Sequence, residues 1–466
     1  AMAASNTTGS IYGQAETGAT VTFKSQDTGQ TKSVTVGSNG KFNFKDVPPG
    51  TYTVTSSNGG KRQVSVVIGT GSSVLFTESN IETIDVVGSA ISMIDTSSAE
   101  STMVFTQEQI ELLPVGRNTT AVALLTPGTS AGDPTFGNLA SFGGSSVAEN
   151  GFYIDGFDVT NVRSFLSFAS LPFDAVSQTQ VKTGGYGAEY GRSLGGVVNT
   201  VTKSGTNEWK FGAAAYYTPQ SLKATRHNIN DRDPANKGEF TSYSSEDERD
   251  NLTYNFSAGG PLIKDTLFMF TNIEFQDDER HNFNRTDSNS RSVTNPNGMI
   301  KLDWYITDDH KLSGTYIQTE TEIDRVFYEN PVDSEGNKIP YTGIHGNESA
   351  RYTEENGGNI FIVNYNGQLT DDLSLSLMYG TLEDKNENRI PRNAAPESAT
   401  CARAIDTTGD KTWTTRVNVG CWNTAQSNIV DLEPESARDE RESYKIDIDY
   451  TIGDHNIRFG YNNEEY

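Results

Sequence analysis

The sequence predicts a mainly β chain in three parts. An N-terminal β-sandwich covers residues 1–79, a mixed α+β domain covers 80–205, and an antiparallel transmembrane β-barrel covers 206–466. In the first part, short β-branched segments alternate with Gly, Asn and Asp turns. The second part is rich in Gly and Ser and has one well-capped helix. The third part alternates apolar and polar residues over long segments, which are joined in turn by short turns and long polar loops.

The composition limits the classes of function. The formal net charge is −25 and the isoelectric point is about 4.6. No stripe of Lys and Arg is present, so a nucleic-acid partner is not expected. Mean hydropathy is −0.54, and no run approaches the ~18 apolar residues that a membrane helix needs. This excludes helical spans alone, because the strands of a membrane barrel keep half of their residues facing water.

Residues 1–79 are predicted to form a small sandwich of short strands. Alternating or β-branched segments lie at residues 10–11, 20–24, 32–36, 41–44, 51–55 and 63–68. Turn residues separate them at 27–29, 38–40 and 58–60. The stretch 18–54, and above all DVPPGTYTV at 46–54, resembles the carboxypeptidase regulatory-like domain. That resemblance implies a structural module without catalysis.

The middle part contains one clear helix signal. Thr106 can cap a helix with Gln109 three residues later, and Pro114 ends the apolar residues that follow. A second short helix is predicted over residues 119–125. Asp155, in the sequence YIDG, is predicted to form a turn rather than to bind a ligand.

The stretch 183–217 could be a phosphate cradle, a hydrolase nucleophile or a tightly turning backbone. The Gly-x-Gly at 185–187 lacks a third glycine at the right spacing, and a strand follows it where a nucleotide-binding helix should begin. The pentapeptide GRSLG at 191–195 lacks the strand before it and the helix after it that a nucleophile elbow needs. No two of the five histidines have metal-ligand spacing. The seven glycines of 183–205 are therefore predicted to shape the backbone, and the chain is not expected to be an enzyme.

The third part is predicted to contain roughly nine strands with a period of two. They lie at residues 209–217, 252–258, 267–275, 300–306, 312–316, 361–365, 373–379, 444–450 and 457–461.

The connections favour a membrane barrel over a soluble sandwich, whose strands would alternate as well. Tight turns are predicted at 259–261, 307–310, 370–372 and 453–455, and long polar loops at 218–250, 277–298, 319–358 and 382–443. Short turns at one end and long loops at the other are typical of outer-membrane barrels. Tyr and Trp residues near the strand ends are typical of interfacial girdles.

Three motifs of the middle part resemble the plug domain of TonB-dependent outer-membrane receptors. They are IELLPVGRNTTAVALLTPG at 110–128, YIDGFDVTN at 153–161 and KTGGYGAEYGRSLGGVVNTVTKSGTNE at 182–208. Together with the sandwich and GGPLIKDTLFMF at 259–270, they are similar to the Oar-like branch. The resemblance implies an α+β plug inside a barrel, an outer-membrane location in contact with lipid, and an N-terminal domain in the periplasm. It also implies import of an extracellular substrate driven by the partner protein TonB.

The resemblance places a TonB box between the sandwich and the plug. The matching residues are Glu82, Thr83, Ile84, Asp85, Val86 and Val87. An extended β-branched segment suits this role because it can add a strand to the edge of a partner's sheet. An ordinary linker strand is the alternative.

The resemblance also implies further site residues. Glu189 and Arg192 are expected to form ion pairs with the barrel that release when TonB pulls. The alternative is a solvated pair worth less than about 1 kcal/mol. The loops 131–136 and 163–172 are expected to face the substrate, although burial within the plug is as compatible with the two phenylalanines of the second loop. The residues concerned are Asp133, Phe136, Phe165 and Phe168.

Two features remain open at this level. Cys401 and Cys421 are either free thiols or a disulfide that closes a loop of about 20 residues. Their polar surroundings favour the disulfide, since an exposed thiol would be a liability. The acidic loop 228–240 could bind calcium through its oxygens, but it lacks a fixed ligand spacing and a solvated loop is favoured. No other metal or cofactor is expected.

Roughly nine strands are too few for the predicted barrel. Receptors of this kind have 22 strands around a plugged lumen, so the barrel is expected to continue beyond residue 466. A siderophore, a glycan, a peptide or a protein would all suit long polar loops as substrate, and the resemblance to the Oar-like branch favours a peptide or a protein. A surface adhesion protein that binds through its sandwich and loops would lack the TonB box and the plug, and a passive porin would lack the Gly-rich plug.

Overall fold

The computed structural model describes residues 6–76, 101–133, 139–163, 165–166, 168–169, 171–233, 237–285, 287–370, 372–389, 402–406, 417–422, 438–453 and 455–466. Within these ranges, no helix is both long and apolar enough to cross a membrane. The described residues form three units: an N-terminal sandwich, a middle domain and a ten-stranded sheet.

The N-terminal sandwich has seven strands. They are β1 (Gly9–Gln14), β2 (Thr20–Ser25), β3 (Thr31–Thr35), β4 (Lys41–Val47), β5 (Gly50–Ser56), β6 (Lys61–Val66) and β7 (Gly71–Leu75). One sheet has the order β4-β1-β7 and the other β3-β2-β5-β6. The ring of Phe23 meets those of Phe44 and Tyr52 edge to face, at 4.8 and 5.2 Å between centroids. The Tyr52 hydroxyl donates to the carbonyl of Pro48 at 2.7 Å, which fixes the DVPPG turn on this core.

The middle domain surrounds a five-stranded sheet of order β12-β11-β14-β13-β8. Its elements are β8 (Ser101–Thr106), α1 (Gln107–Leu112), α2 (Thr119–Ala123), β9 (Thr129–Ala131), β10 (Ala140–Phe142), β11 (Gly151–Ile154), β12 (Phe157–Asp158), β13 (Val176–Gly184) and β14 (Val197–Thr202). The helix predicted after Thr106 is confirmed. Thr106 and Gln109 form a reciprocal capping box at the start of α1, which satisfies two backbone N–H groups that would otherwise lack partners.

The ten-stranded sheet is antiparallel throughout. Its strands are β15 (Lys210–Thr218), β18 (Glu248–Ile263), β19 (Leu267–Phe283), β20 (Asp287–Thr307), β21 (His310–Gln318), β22 (Thr321–Glu329), β23 (Glu348–Thr370), β24 (Leu373–Arg389), β27 (Arg438–Ile452) and β28 (His455–Glu465). Small two-stranded sheets in the long connections pair β16 (Ile229–Asn230) with β17 (Phe240–Ser242), and β25 (Ala402–Asp406) with β26 (Val417–Trp422).

The described residues contain one more strand of this sheet than the sequence predicted, and several strands are longer. β22 lies within the predicted loop 319–358 and pairs with both β20 and β23. β19 and β20 pair continuously from Leu267 opposite Trp304 to Phe283 opposite Ser288, through the predicted loop 277–298. These extensions carry polar residues on both faces, so the apolar alternation that marks a membrane strand is missing from them.

The two faces of the sheet differ in chemistry. The inner face, defined here as the one packed on the middle domain, contributes Phe270, Met299, Ile317, Ile360, Ile362 and Leu382 to a shared core with Phe105, Ile110, Phe152 and Phe157. The outer face exposes large apolar side chains, among them Phe256, Ile273, Ile300, Trp304, Ile446 and Phe459. An exposed apolar surface of this extent is typical of contact with lipid.

Candidate functional site

The middle domain is fastened to the inner face of the sheet through the turn that contains Asp155. Asp155 has a φ of 47° and is 2% exposed. Its carboxylate accepts hydrogen bonds from the backbone N–H of Thr202 at 2.9 Å and from the Thr202 hydroxyl at 2.7 Å. These two bonds hold the carboxylate against the end of β14, beside the sheet. Asp155 therefore forms the predicted turn.

The same carboxylate reaches the sheet. Asp155 accepts from the Thr315 hydroxyl of β21 at 3.0 Å, and Lys301 Nζ of β20 lies 3.3 Å from it in an ion pair. Asn364 of β23 donates to the Asp155 carbonyl at 3.0 Å. A single turn is therefore bonded to three neighbouring strands. Because Asp155 and Lys301 are both buried, loss of either would leave an uncompensated charge.

A second buried pair joins Asp158 to β27. Arg441 Nη1 lies 3.0 Å from Asp158 Oδ1 and donates to the Asp158 carbonyl at 2.5 Å. The Arg441 side chain is almost fully buried, so the pair is screened little by water. Burial raises the pKa of the Asp158 carboxyl, and Arg441 opposes that rise.

Glu189 and Arg192 both lie against β28. Arg458 Nη1 is 3.6 Å from Glu189 Oε1, and Arg192 Nη2 is 3.3 Å from Glu464 Oε2. The guanidinium of Arg192 also stands over the ring of Tyr466, 4.5 Å from its centroid. The structure thus brings the two residues named from the sequence to one barrel strand.

Asn161 and Arg163 lie on the side of the long loops. Asn161 Nδ2 donates to Asp384 at 3.0 Å, and Arg163 donates to Asp439 at 2.7 Å. Phe165 is exposed and has a φ of 56°. Phe168 stacks on Phe152 at 4.0 Å, so it is part of the core of the middle domain rather than of its surface.

Several residues named from the sequence lie outside the described residues. They are Glu82, Thr83, Ile84, Asp85, Val86, Val87, Phe136 and Cys401. Asp133 is described and follows β9. Cys421 lies in β26, where its backbone pairs with Arg403 of β25.

The described residues of the acidic loop 228–240 and of the pentapeptide GRSLG make local hydrogen bonds. In the acidic loop, Asp231 Oδ1 accepts the backbone N–H of Asp233 at 2.9 Å, the pattern of an Asx turn. Over the described ranges, no three His, Cys, Asp or Glu side chains are grouped to hold a metal ion. The hydroxyl of Ser193, in GRSLG, is buried and donates to the carbonyls of Glu149 and Gly196 at 3.1 and 2.9 Å. It therefore ties backbone segments together.

The sandwich lies against the end of the sheet where the turns are short. Lys32 pairs with Asp309, in the turn between β20 and β21, at 2.8 Å. Lys45 Nζ donates to Asn456 Oδ1 of β28 at 2.8 Å. The Ile68 amide donates to Gln178 of the middle domain at 2.9 Å. A cavity of about 510 Å³ remains between the sandwich, the middle domain and these turns.

Sequence reasoning missed most of the barrel partners of the middle domain. Lys301, Thr315, Asn364 and Arg441 are polar residues on strands whose other faces carry apolar residues. That alternation marks them as inward-facing. It does not say which residue of the middle domain each one meets, because the partners are more than a hundred positions away in the chain.

Comparisons with known proteins agree with this architecture. Residues 8–87 match the carboxypeptidase regulatory-like domain, and residues 94–197 match the TonB-dependent receptor plug domain. The TonB-dependent transporter Oar of Myxococcus xanthus is 29% identical over 257 residues, which cover 51% of this chain and 23% of that protein.

A solved transporter structure supports the same fold. The outer membrane transporter YddB from Escherichia coli superposes with a TM-score of 0.53 at 16% identity, over 78% of this chain and 48% of that one. A mutant of the ferric enterobactin receptor from Pseudomonas aeruginosa superposes with a TM-score of 0.46 at 15% identity, over 78% and 48%. The chain thus spans about a quarter of the Oar protein and about half of the solved transporters.

Proposed function

We infer that this chain is a TonB-dependent receptor of the Oar type, which lies in the outer membrane with its N-terminal sandwich on the periplasmic side. Its middle domain is the plug, and its ten-stranded sheet belongs to the barrel. We propose that it actively imports an extracellular substrate, and that TonB supplies the energy through the segment Glu82–Val87.

The observation that carries this proposal is the fastening of the plug to the barrel. The Asp155–Lys301 and Asp158–Arg441 pairs are buried, and an apolar core is shared across the same contact. Breaking one buried ion pair costs about 3–5 kcal/mol. A passage large enough for a substrate therefore needs work from outside, and mechanical pulling on an N-terminal segment would supply it.

The release of Glu189 and Arg192 from β28 belongs to the same proposal. Both ion pairs are longer than 3.2 Å, and the Arg192 side chain is half exposed. An exposed pair such as Arg192 with Glu464 is worth only about 1 kcal/mol or less, while the Glu189–Arg458 pair is less exposed but has the longer separation. We propose that these contacts give way before the buried pairs when the plug is pulled.

We propose that the substrate is a peptide or a protein. The described residues of three long connections support this because they pack on one another as a layer. The Tyr341 hydroxyl accepts the backbone N–H of Phe240 at 3.0 Å, and Arg285 contacts Glu239 at 2.5 and 2.6 Å. A packed layer offers a broad surface, which suits a macromolecular segment better than a small compact ligand. Phe165 and Asp133 are proposed to face this substrate from the plug.

Deletion of Glu82–Val87 tests the proposal. Import of labelled substrate into cells is expected to be lost, while binding to the cell surface stays unchanged. A finer pair of variants is Val86→Pro and Val86→Thr. Proline removes a backbone N–H that strand addition to a partner needs, whereas threonine keeps both the N–H and the β-branched shape. Import that survives both the deletion and Val86→Pro would show that the TonB segment lies elsewhere.

A further inference from the structure

Four arginines form a row across four neighbouring strands on the side of the long loops. Arg249 of β18 lies directly opposite Arg280 of β19, and Arg280 lies opposite Arg291 of β20. Arg291 in turn lies opposite Arg325 of β22. We name Arg249, Arg280, Arg291 and Arg325 the arginine row.

The arginine row lies on the inner face of the barrel sheet. Arg280 is an even number of residues from Phe270, and the pairing of β19 with β20 has no register shift between them. Side chains alternate between faces with a period of two, so Arg280 points to the same side as Phe270, which packs on the plug. Residues directly opposite each other share a face, so the other three arginines point inward as well.

The charges of the row are only partly compensated. Asp278 is almost fully buried and pairs with Arg249, Arg280 and Arg291 at 2.7, 2.6 and 3.1 Å. Arg325 pairs with Glu354 at 2.5 Å. Over the described part of the chain, these are the two carboxylates within ion-pair distance of the row. Four cations with two anions leave a surplus of two positive charges, in a chain whose net charge is −25.

The stability of the sheet does not explain why four arginines lie next to one another. Like charges directly opposite each other on adjacent strands are destabilising, and three such pairs occur in succession here. A single arginine beside Asp278 would neutralise that carboxylate. The Arg249 side chain is 45% exposed and that of Arg280 is 35% exposed, so the row is open to water inside the barrel and accessible to a ligand.

We propose that the arginine row binds an acidic segment of a peptide substrate on its way to the plug. This rests on the proposed import function and names the chemistry of the substrate. The two carboxylates already bound to the row are the chemical groups that an acidic peptide would add, and guanidinium forks match carboxylates in geometry.

The shape of the row favours a linear anion over a single small one. Adjacent strands are about 4.8 Å apart, so the backbones of the four arginines extend over roughly 14 Å, and the guanidinium groups of Arg249, Arg280 and Arg291 converge on Asp278 while that of Arg325 lies apart on Glu354. An extended peptide presents side chains on one face about every 7 Å. Two or three acidic residues of such a peptide would therefore span the row, whereas a single phosphate or sulfate would occupy only part of it.

The test is a binding measurement on the receptor purified from outer membrane in detergent, with fluorescent hexaglutamate as the probe. The native protein is expected to bind hexaglutamate with an affinity that falls as ionic strength rises. Arg280→Gln and Arg249→Gln are each expected to weaken binding about tenfold or more. The matched control is Arg351→Gln. Arg351 lies opposite Val326, on the outer face, and its removal changes the net charge by the same amount.

Each outcome decides the proposal. If Arg280→Gln and Arg351→Gln weakened hexaglutamate binding equally, the loss would be due to the change in net charge alone, and the proposal would be overturned. Sulfate that binds as tightly as hexaglutamate would show a single-anion site and overturn it as well. Heat-modifiable migration of each variant on a gel shows that the barrel is folded. The measurement needs neither TonB nor transport, so failure of the import proposal and failure of this one are distinguishable.

Discussion

At the scale of single residues, Asp155 joins the plug to three barrel strands at once. The sequence YIDG predicts the turn at Asp155, because Asp followed by Gly tolerates a positive φ. It does not predict the buried ion pair, since Lys301 lies 146 residues further along the chain. The backbone conformation of a turn can be predicted from adjacent residues in the sequence. The partner of a buried charge depends instead on how distant strands and turns pack together.

Asp155→Asn is expected to loosen the plug. Lys301 would remain buried without its counter-charge, which lowers the free energy of plug unfolding by about 3–5 kcal/mol. Hydrogen exchange of β14, whose Thr202 amide donates to Asp155, measures this directly. The double variant Asp155→Asn with Lys301→Met should recover part of the loss, because neither charge of this pair then remains buried. Unchanged exchange in the single variant would refute the role given to Asp155.

His345 supplies a pH-dependent contact in the outer loops. Its ring stacks between Phe283 and Tyr328, with centroids at 4.8 and 4.2 Å. His345 Nε2 is 2.9 Å from His281 Nδ1, and Glu279 contacts the other nitrogen of His281. Burial, followed by the neighbouring His281, lowers the pKa of His345. The unfolded loop therefore binds a proton more readily than the folded one.

The loop 331–347 is expected to open as the medium becomes acidic. Because the pKa is lowered on folding, the contact has its full stability above about pH 6.5 and loses stability as the pH falls through the lower, folded value. Limited proteolysis at the exposed Lys338, with a protease whose own pH dependence is measured on a peptide, reports the opening. His345→Phe keeps the stacking without a titrating group, and its cleavage should not depend on pH. An unmodified loop whose cleavage is constant from pH 8 to pH 5 would contradict this reasoning.

At the scale of elements, the membrane part of each strand is readable from the sequence and the part beyond it is not. Eight of the nine predicted segments lie within strands of the sheet and the first begins one residue before β15, because lipid on one side and plug on the other impose alternation. We call the zone of the outer face that exposes large apolar side chains, such as Ile300 and Trp304, the apolar band. β22 pairs with β20 and β23 outside this band, on the side of the long loops, and its outer side faces water. Because both sides of β22 lie outside the lipid, nothing imposes an alternation of apolar and polar residues there. Its amino-acid sequence is therefore similar to that of a polar loop.

Ile300→Arg tests the orientation of β20. Ile300 is on the outer face, opposite Thr271 of β19 and within the apolar band. An arginine near the bilayer midplane costs about 2–4 kcal/mol, which falls to about 0–1 near the interface. Ser292→Arg, on the same strand and face but eight residues higher, is the matched control. Urea unfolding in phospholipid vesicles measures both, and equal stabilities would contradict the assigned membrane band.

At the scale of the whole molecule, the sandwich lies across the periplasmic end of the plug and barrel. It contacts turns of the sheet through Lys32 and Lys45 and the plug through Ile68. The composition change at residue 80 predicts a separate sandwich, but the docking depends on single polar side chains on its surface. A substrate that leaves the barrel past the displaced plug would meet the sandwich. The proposed import would therefore require the sandwich to move.

A carbodiimide, which joins an amine to a carboxylate in direct contact, is expected to link Lys32 to Asp309 in the resting receptor. Their side chains are 2.8 Å apart and partly exposed, and mass spectrometry identifies the joined peptides. Asp309→Asn should remove this link, while the link between Lys338 and Glu329, which are 3.5 Å apart, remains as an internal standard. Cells that import substrate should give less of the 32–309 link than de-energised cells, because undocking separates the two residues. If the linked receptor imported at the normal rate, the sandwich would have to lie beside the exit path rather than across it.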